Sequence, residues 1–290
     1  LSLNAGAYEV VSNPYTLNNL ADGRYTLSVR AVDAGGRKDA TPATYTWTII
    51  TEPPTPPTFT AVTEDRGPVN NDGVTSDNTI RLSGKAQAGV EVTVSEAERG
   101  VLGKVKANDS GDWTFNYENT ALPAGVYRFT AIATDIAGNV SKVSSTFTVT
   151  IDLTRPDVAI STEAKAPVSK AFPIQLKFTE EVYGLTPADI NVTGATLSEL
   201  KEVNKSTYTA TITPPTNGQG TVAISLAADK ATDLAGNGNT ASNKLEIAYD
   251  LKRPKVTLTS DAPQIVKAPF TVKFTFDEAV TGFTAADITI

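Results

Sequence analysis

The 290-residue sequence contains no cysteine, no histidine and no methionine. Without cysteine, the chain can form neither a disulfide bond nor a thiolate metal site. The absence of histidine removes the most common general base and transition-metal ligand, and it excludes a Ser-His-Asp triad. Any metal binding must therefore use oxygen ligands.

Positive charge and long apolar runs are also scarce. The chain has 25 Lys and Arg residues against 32 Asp and Glu, a formal charge of -7, which argues against the basic surface of a nucleic-acid-binding protein. No apolar run approaches the roughly 20 residues of a membrane-spanning helix, and the start of the chain lacks a signal-peptide pattern. We expect no nucleic-acid partner and no membrane insertion in this segment. Because the chain begins and ends within a pattern, we expect it to be a piece of something longer.

What the sequence does contain is internal repetition. DLTRP at 152–156 recurs as DLKRP at 250–254, and the segment from Phe172 matches the segment from Phe270 at the same spacing. A second pair of matching segments begins at Leu20 and Leu122. The repeats predict four parts: the C-terminal part of one domain at 1–52, complete domains at 53–151 and 152–250, and the N-terminal part of a further domain at 251–290.

Within the parts, apolar residues alternate with polar ones. Tyr127, Phe129 and Ala131 alternate with Arg128 and Thr130, as expected of a strand with one face on a core. Short strands in units of roughly 100 residues, with turn signals between them, are typical of Ig-like sandwiches. The fold class predicted is all-β, with tandem Ig-like β-sandwich domains in an elongated array.

Three smaller motifs carry their own expectations. The Leu-x-x-Gly-x-Tyr pattern ending at Tyr25 and at Tyr127 predicts a tyrosine corner at the start of a strand. Trp47 and Trp113 are interpreted as core or sheet-face aromatics rather than ligand-stacking residues. The segments 186–189 and 284–287 predict a short turn or helical N-cap.

The segments VRAVDAGGRKDATPATYTWTI, IATDIAGNVS followed by FTVTIDLTRP, and FDEAVTGFTAADITI resemble the bacterial Ig-like repeats of giant surface adhesins and biofilm-associated proteins. The resemblance covers essentially the whole chain. It implies a secreted, non-catalytic stalk or adhesive segment at the bacterial cell surface. Many members of that group bind calcium, so the resemblance also implies Ca²⁺ as the ion.

The topology of an Ig-like sandwich is expected to bring acidic residues together at the joints between domains. In the domain 152–250, the linker, the end of the second strand and the F–G loop meet at one pole, a hard-oxygen set that suits Ca²⁺. The candidate ligands there are Asp152, Glu180, Glu181, Asp233 and Asn237. Elsewhere they are Glu52, Asp135 and Asn139 in the preceding domain, Asp65, Asp72 and Asp77 in a loop expected close to Asp152, and Asp250 and Glu278 in the following one. The alternative is that Asp-x-Ala-Gly-Asn forms a plain hairpin turn.

Catalysis is not expected. Glu180 and Glu181 are adjacent on a strand, so they point to opposite faces and cannot flank one bond. No Gly-rich phosphate loop follows a strand and opens a helix. An isopeptide bond needs a buried lysine, and Lys177 is predicted on the face opposite Ile174 and Leu176.

The leading interpretation is a calcium-stiffened stalk that projects a binding region for cell adhesion or biofilm formation. Its partners would be neighbouring repeats of the same chain, and host-cell or biofilm-matrix glycans or proteins. One alternative is a module that binds a host glycan or protein directly, for which Tyr15, Tyr45 and Trp47 are the candidate residues. Another is an accessory segment of a secreted polysaccharide-degrading enzyme.

Overall fold

A computed structural model describes residues 1–289, and nearly all of their regular structure is β-strand. The strands belong to two compact units, β1 to β11 and β12 to β20. Two short 3-10 helices, Pro187–Asp189 and Ala285–Asp287, occur in the second unit. Within residues 1–289, no helix has the length and apolar character needed to cross a membrane.

The first unit begins with a three-stranded antiparallel sheet of β1 (Ser2–Leu3), β2 (Gly23–Val29) and β3 (Ala43–Ile49), in that order. Tyr25 of β2 lies opposite Trp47 of β3, and their rings stack with centroids 5.7 Å apart. Of the described residues, none in this sheet belongs to a buried core cluster. Residues 1–52 therefore form a sheet whose aromatic face is only partly covered.

A complete Ig-like sandwich follows it in the first unit. Its strands are β4 (Thr58–Val62), β5 (Val74–Thr75), β6 (Arg81–Lys85), β7 (Glu91–Glu96), β8 (Gly100–Lys106), β9 (Asp112–Asn116), β10 (Gly125–Thr134) and β11 (Phe147–Ile151). One sheet has the order β4-β6-β9 and the other β5-β11-β10-β7-β8. All neighbours are antiparallel except β5 and β11. The prediction of Ig-like sandwiches is confirmed.

The core of this sandwich lies between its two sheets. Tyr127, Phe129 and Ala131 on alternate positions of β10 are buried, as the period of two predicted. Trp113 of β9 is 2% exposed, and its ring meets Phe59 edge-on at 5.1 Å. Trp113 is therefore a core residue, as expected from the sequence.

Both predicted tyrosine corners are present. The Tyr127 hydroxyl donates to the carbonyl oxygen of Pro123 at 2.8 Å, and the Tyr25 hydroxyl donates to that of Ala21 at 2.9 Å. Each hydrogen bond joins a tyrosine near the start of a strand to the loop that precedes that strand. The motif therefore sets where β2 and β10 begin.

The second unit contains another complete sandwich. Its strands are β12 (Val158–Ser161), β13 (Phe172–Phe178), β14 (Ile190–Thr193), β15 (Thr196–Asn204), β16 (Thr207–Thr213), β17 (Gln219–Leu226) and β18 (Leu245–Asp250). The sheets have the orders β12-β13-β16-β15 and β14-β17-β18. Ile174 and Leu176 of β13 are buried whereas Lys177 is exposed, which confirms the predicted faces.

The last two strands, β19 (Val256–Thr259) and β20 (Lys273–Phe276), repeat the pairing of β12 with β13. Val256 and Leu258 are 50% and 59% exposed, whereas the corresponding Val158 and Ile160 are 8% and 3% exposed. The repeated sequence therefore makes the same hairpin with and without a covering sheet.

The predicted turns at 186–189 and 284–287 are the two 3-10 helices. The backbone N–H and the hydroxyl of Thr186 donate to Asp189 Oδ2 at 2.9 and 2.6 Å. Thr284 donates in the same way to Asp287 at 2.9 and 3.0 Å. The short side chain of Thr at the N-cap and the Asp three residues later explain both turns.

Candidate metal centre

Three acidic residues approach the same end of the repeat 152–250 from separate parts of the sequence. Asp152 follows β11 directly, and its Oδ1 accepts the backbone N–H of Thr154 at 2.9 Å, an Asx turn. Glu180 follows the last residue of β13 by two positions, and Asp233 lies in the loop between β17 and β18. Asp152 and Glu180 are therefore positioned by the ends of strands, and Asp233 by a loop.

The loop that carries Asp233 is a turn closed by its own side chains. Asp233 Oδ1 accepts the backbone N–H of Asn237 at 2.8 Å, and Oδ2 accepts the Asn237 side-chain amide at 2.9 Å. Gly236 has φ +88°, a left-handed conformation that suits glycine. The plain-turn interpretation of Asp-x-Ala-Gly-Asn is therefore correct as a description of the loop.

The same turn recurs in the preceding repeat. Asp135 Oδ1 accepts the backbone N–H groups of Ala137 and Asn139, both at 2.9 Å, and Gly138 has φ +90°. The Asn139 side-chain amide donates to Asp135 Oδ2 at 2.8 Å, and this bond is the main cause that holds the pKa of Asp135 below its usual value. The motif thus folds alike in both complete repeats.

The structure brings Asp152, Glu180 and Asp233 together. One carboxylate oxygen from each residue lies within 4.8 Å of the others. Within residues 1–289, this is the only place where three or more acidic side chains converge in this way. Asp233 is 2% exposed, and the other two are partly buried. Three like charges at this separation repel one another.

The donor set fits a hard divalent cation. All three groups offer carboxylate oxygens, the ligands that Ca²⁺ and Mg²⁺ take in proteins. A carboxylate has about four lone-pair sites, so Asp233 can cap its loop and still offer an oxygen to an ion. That a metal binds here stays a prediction, as does its identity.

The two other candidates in this repeat have different places. Glu181 is exposed and does not belong to the group, as its position next to Glu180 on an extended segment requires. Asn237 donates its side-chain amide to Asp233. Its structural part in the cluster is to orient that carboxylate.

The corresponding place in the preceding repeat holds fewer acids. Glu52 and Asp135 line one shallow cleft together with Lys106 and Gln87, and the Asn139 side chain donates to the carbonyl oxygen of Ile50 at 2.9 Å. Gln87 follows β6 by two positions, where the next repeat has Glu180 after β13. The amide and the nearby amine make this place less suited to a divalent ion.

The segment after β4 lies beside Asp152, as expected, because the backbone N–H of Asp152 donates to the Thr75 carbonyl oxygen at 3.0 Å. Asp72 Oδ1 accepts the backbone N–H of Val74 at 2.8 Å, and Asp77 Oδ1 accepts that of Thr79 at 2.9 Å. Asp65 Oδ2 accepts the N–H of Gly73 at 3.3 Å. None of these carboxylates joins the group that contains Asp152. They cap turns of their own loop, because local N–H groups are the nearest donors.

Sequence reasoning missed two basic residues near the acidic ends of the repeats. The Arg155 guanidinium donates to the carbonyl oxygens of Gly238 at 2.7 Å and Asn239 at 2.9 Å, and it pairs with Asp229. Lys252 pairs with Asp277, its Nζ 3.0 Å from Oδ2. The signal was available, because both basic residues lie in the repeated DLxRP segments.

Two of the three aromatic residues considered for direct binding, Tyr45 and Trp47, stack on one face of the first sheet. Tyr45 is 70% exposed, and its ring stacks on that of Trp47 at 6.0 Å. Trp47 pairs with Tyr25 as Val149 pairs with Tyr127 in the complete repeat, where both residues are buried. The stack therefore belongs to the core-facing side of this sheet, and Tyr15 is not among its stacked rings.

These features define a class of protein, tandem Ig-like β-sandwiches with acidic residues at the start of the repeats. Comparison with protein families agrees: residues 52–153 and 152–249 each match a family described as bacterial Ig-like domain. The two matches together span more than half of the chain. The chain therefore belongs to the bacterial Ig-like domain proteins.

The comparison with curated proteins found no match. Among solved structures, the chain is similar to a tetra-tandem repeat in the extending region of a large adhesion protein, with 17% identity over 84% of this chain and 61% of that one, at a TM-score of 0.32. It is also similar to the D00-D0 domain of intimin (18% identity, 64% and 98% covered, TM-score 0.28) and to the BSP domain of a biofilm-associated protein (15%, 79% and 42%, 0.22). At TM-scores this low, the likenesses support no argument about function.

Proposed function

We propose that the chain is a structural segment of a large bacterial surface adhesin, a stalk that holds a binding region away from the cell. The observation that carries the proposal is the tandem arrangement of two complete bacterial Ig-like domains. The partly covered sheet within 1–52 and the partly covered hairpin within 251–289 repeat parts of the same fold. The role of such a protein is to span a distance, and the partners of each repeat are then the neighbouring repeats of the same chain. Its location would be extracellular.

The acidic cluster suggests how such a stalk would be stiffened. Asp152 belongs to the segment that leads into the repeat, whereas Glu180 and Asp233 belong to its sandwich. A Ca²⁺ ion shared by the three carboxylates would fasten that entering segment to the sandwich. It would also relieve the repulsion among three like charges. In this proposal Ca²⁺ restricts bending and is not needed for each sandwich to fold.

Calorimetric titration of the full chain with calcium chloride tests the site. We expect wild-type protein to bind Ca²⁺ and its thermal midpoint to rise, because a ligand at about 100 times its Kd stabilises the native state by about 2.7 kcal/mol. Glu180→Gln should abolish both effects, since it removes one charged ligand. Glu181→Gln is the matched control, because Glu181 is exposed and outside the cluster.

Stiffening is tested separately by small-angle X-ray scattering. We expect the scattering profile to report a narrower range of conformations with Ca²⁺ than with a chelator. The Glu180→Gln chain should resemble the chelated wild type under both conditions. Identical wild-type profiles with and without Ca²⁺ would contradict the stiffening role, even if calorimetry shows binding.

A further inference from the structure

A second acidic group stands at the start of the next repeat. Asp250 and Glu278 correspond to Asp152 and Glu180, each pair 98 residues apart in the sequence. Several positions near these acids differ between the repeats, and two of the new residues pair with each other. Thr154 is replaced by Lys252, and Thr179 is replaced by Asp277. Two neutral residues have thus been exchanged together for one base and one acid.

The replacement of Thr179 by Asp277 keeps a hydrogen bond from the backbone and adds a second side-chain oxygen. In the repeat 152–250, the backbone N–H of Asp157 donates to the Thr179 hydroxyl at 3.0 Å. At the corresponding place, the backbone N–H of Lys255 donates to Asp277 Oδ1 at 2.7 Å. Asp277 Oδ2 remains, and Lys252 Nζ lies 3.0 Å from it. The two exchanges therefore act as a unit that fixes the lysine.

The first exchange keeps the local turn and places a charge beside the acids. The backbone N–H of Lys252 donates to Asp250 Oδ1 at 3.0 Å, the Asx turn that Thr154 makes with Asp152 at 2.9 Å. Asp277, and then the charges of Glu278 and Asp250, raise the pKa of the Lys252 ammonium. The Glu278 Oε1 atom is buried and has no hydrogen-bond partner among the described residues. A nearby positive charge therefore stabilises this carboxylate oxygen.

We propose that Lys252 is the built-in cation of this second acidic group, so that the group takes no divalent ion. The proposal rests on the proposed function, in which the cluster of Asp152, Glu180 and Asp233 takes Ca²⁺. The Lys252 ammonium is fixed by Asp277, the residue next to Glu278, and a fixed ammonium repels a second cation at short range. The residue two positions after the Asp of DLxRP then decides between a metal-bound and a lysine-closed repeat. Chelation would act on one kind of repeat and leave the other unchanged.

Transplanting the exchange into the complete cluster tests the proposal. The full chain carrying Thr154→Lys and Thr179→Asp together should lose Ca²⁺ affinity by about tenfold or more, because it gains a fixed positive charge beside the ligands. Thr179→Asp alone is the matched control and should keep the affinity, since it adds only negative charge. Thermal midpoints in chelator, compared among the three proteins, show whether each variant folds.

The outcomes separate the two proposals. Unchanged Ca²⁺ affinity in the folded double variant would overturn the role of the lysine and leave the calcium site standing. Loss of affinity in the control as severe as in the double variant would also overturn it, because the loss would then not be due to the lysine. A wild-type chain that binds no Ca²⁺ would overturn the proposed function and this inference with it.

A measurement on the wild-type chain addresses the second group directly. With glutamate side chains labelled with ¹³C, the carboxyl signal of Glu180 should shift on addition of calcium chloride, whereas that of Glu278 should stay in place. A shift of Glu278 at the same Ca²⁺ concentration as Glu180 would show that Lys252 does not exclude the ion.

Discussion

At the scale of single residues, most acidic side chains in the loops serve the backbone beside them. Asp33, Asp135 and Asp233 each accept the N–H of the residue four positions later in the same kind of turn. Only the last of these also meets two further carboxylates. The turn motif therefore indicates where a carboxylate is held in place, and the neighbouring strand ends decide whether it becomes part of a cluster.

The tyrosine corner makes a prediction for one hydroxyl. Tyr127→Phe removes the bond to the Pro123 carbonyl and should lower the free energy of unfolding of its sandwich by about 1 kcal/mol. Tyr25→Phe is the comparison, because its bond to Ala21 is exposed and lies in the partly covered sheet. Urea denaturation would measure both, and an equal or larger effect of Tyr25→Phe would contradict the prediction.

The lowered pKa of Glu96 predicts how the stability of the first sandwich depends on acid pH. The side chain is 3% exposed. Burial raises its pKa, but backbone N–H bonds from Glu98, Arg128 and Arg99 outweigh this and hold it below the usual value. Because the folded pKa is depressed, the stability it contributes is present above the unfolded pKa of about 4.3 and is lost as pH falls through the folded value.

Glu96→Gln should therefore weaken the dependence of the thermal midpoint on pH below about 4.3. The variant should also be less stable than wild type at neutral pH, since the N–H donors lose a charged acceptor. Glu98→Gln is the control, because Glu98 is exposed. An unchanged acid profile in Glu96→Gln would show that other carboxylates dominate acid unfolding.

At the scale of elements, close strand packing depends on one glycine in β6. A Cβ on Gly84 would lie 2.0 Å from the Thr58 carbonyl oxygen and 2.3 Å from a ring carbon of Trp113. The Trp113 ring thus covers the position where a side chain would stand. Only glycine fits at position 84, because the ring of its cross-strand partner Trp113 occupies the space of a side chain.

Gly84→Ala should consequently destabilise the first sandwich by about 3 kcal/mol, the upper end of what overpacking causes. Ser83→Ala is the matched control on the same strand, at a position that points to the other face. Thermal unfolding followed by Trp fluorescence would measure both. A Gly84→Ala protein as stable as the control would mean that both the Trp113 ring and the Thr58 backbone can move aside.

At the scale of the whole molecule, the two complete repeats have separate cores. One cluster of buried residues runs from Val62 to Ile151 and the other from Val158 to Ile247. Each core is closed by residues of its own repeat alone. The same architecture therefore occurs twice because each stretch of about 100 residues can bury its own apolar faces.

Leu176→Ala tests this separation. Leu176 is fully buried, so its truncation should lower the stability of the repeat 152–250 by about 2–5 kcal/mol. Native-state hydrogen exchange should speed up in β13 and β16 and stay unchanged in β7 and β10. Equal acceleration in both repeats would contradict the independence of the two cores.

The fold was predictable from the sequence to a greater degree than the site. The alternation in β10 and β13, the tyrosine corners and the repeated turns were all confirmed, because each depends on residues close together in the chain. The loop acids Asp65, Asp72 and Asp77 lie outside the three-carboxylate cluster, since their carboxylates accept N–H groups within their own loop. Composition does not show which of several nearby donors a carboxylate will choose.

The repeats, the two-residue period and the turns can all be identified in the amino-acid sequence, and these are enough to specify tandem β-sandwiches. The convergence of Asp152, Glu180 and Asp233 and the pairing of Lys252 with Asp277 are properties of the folded chain. The physical reason is that strand pairing is specified by local pattern and burial. The meeting of side chains from distant strand ends depends on how complete sheets pack, which no single segment encodes.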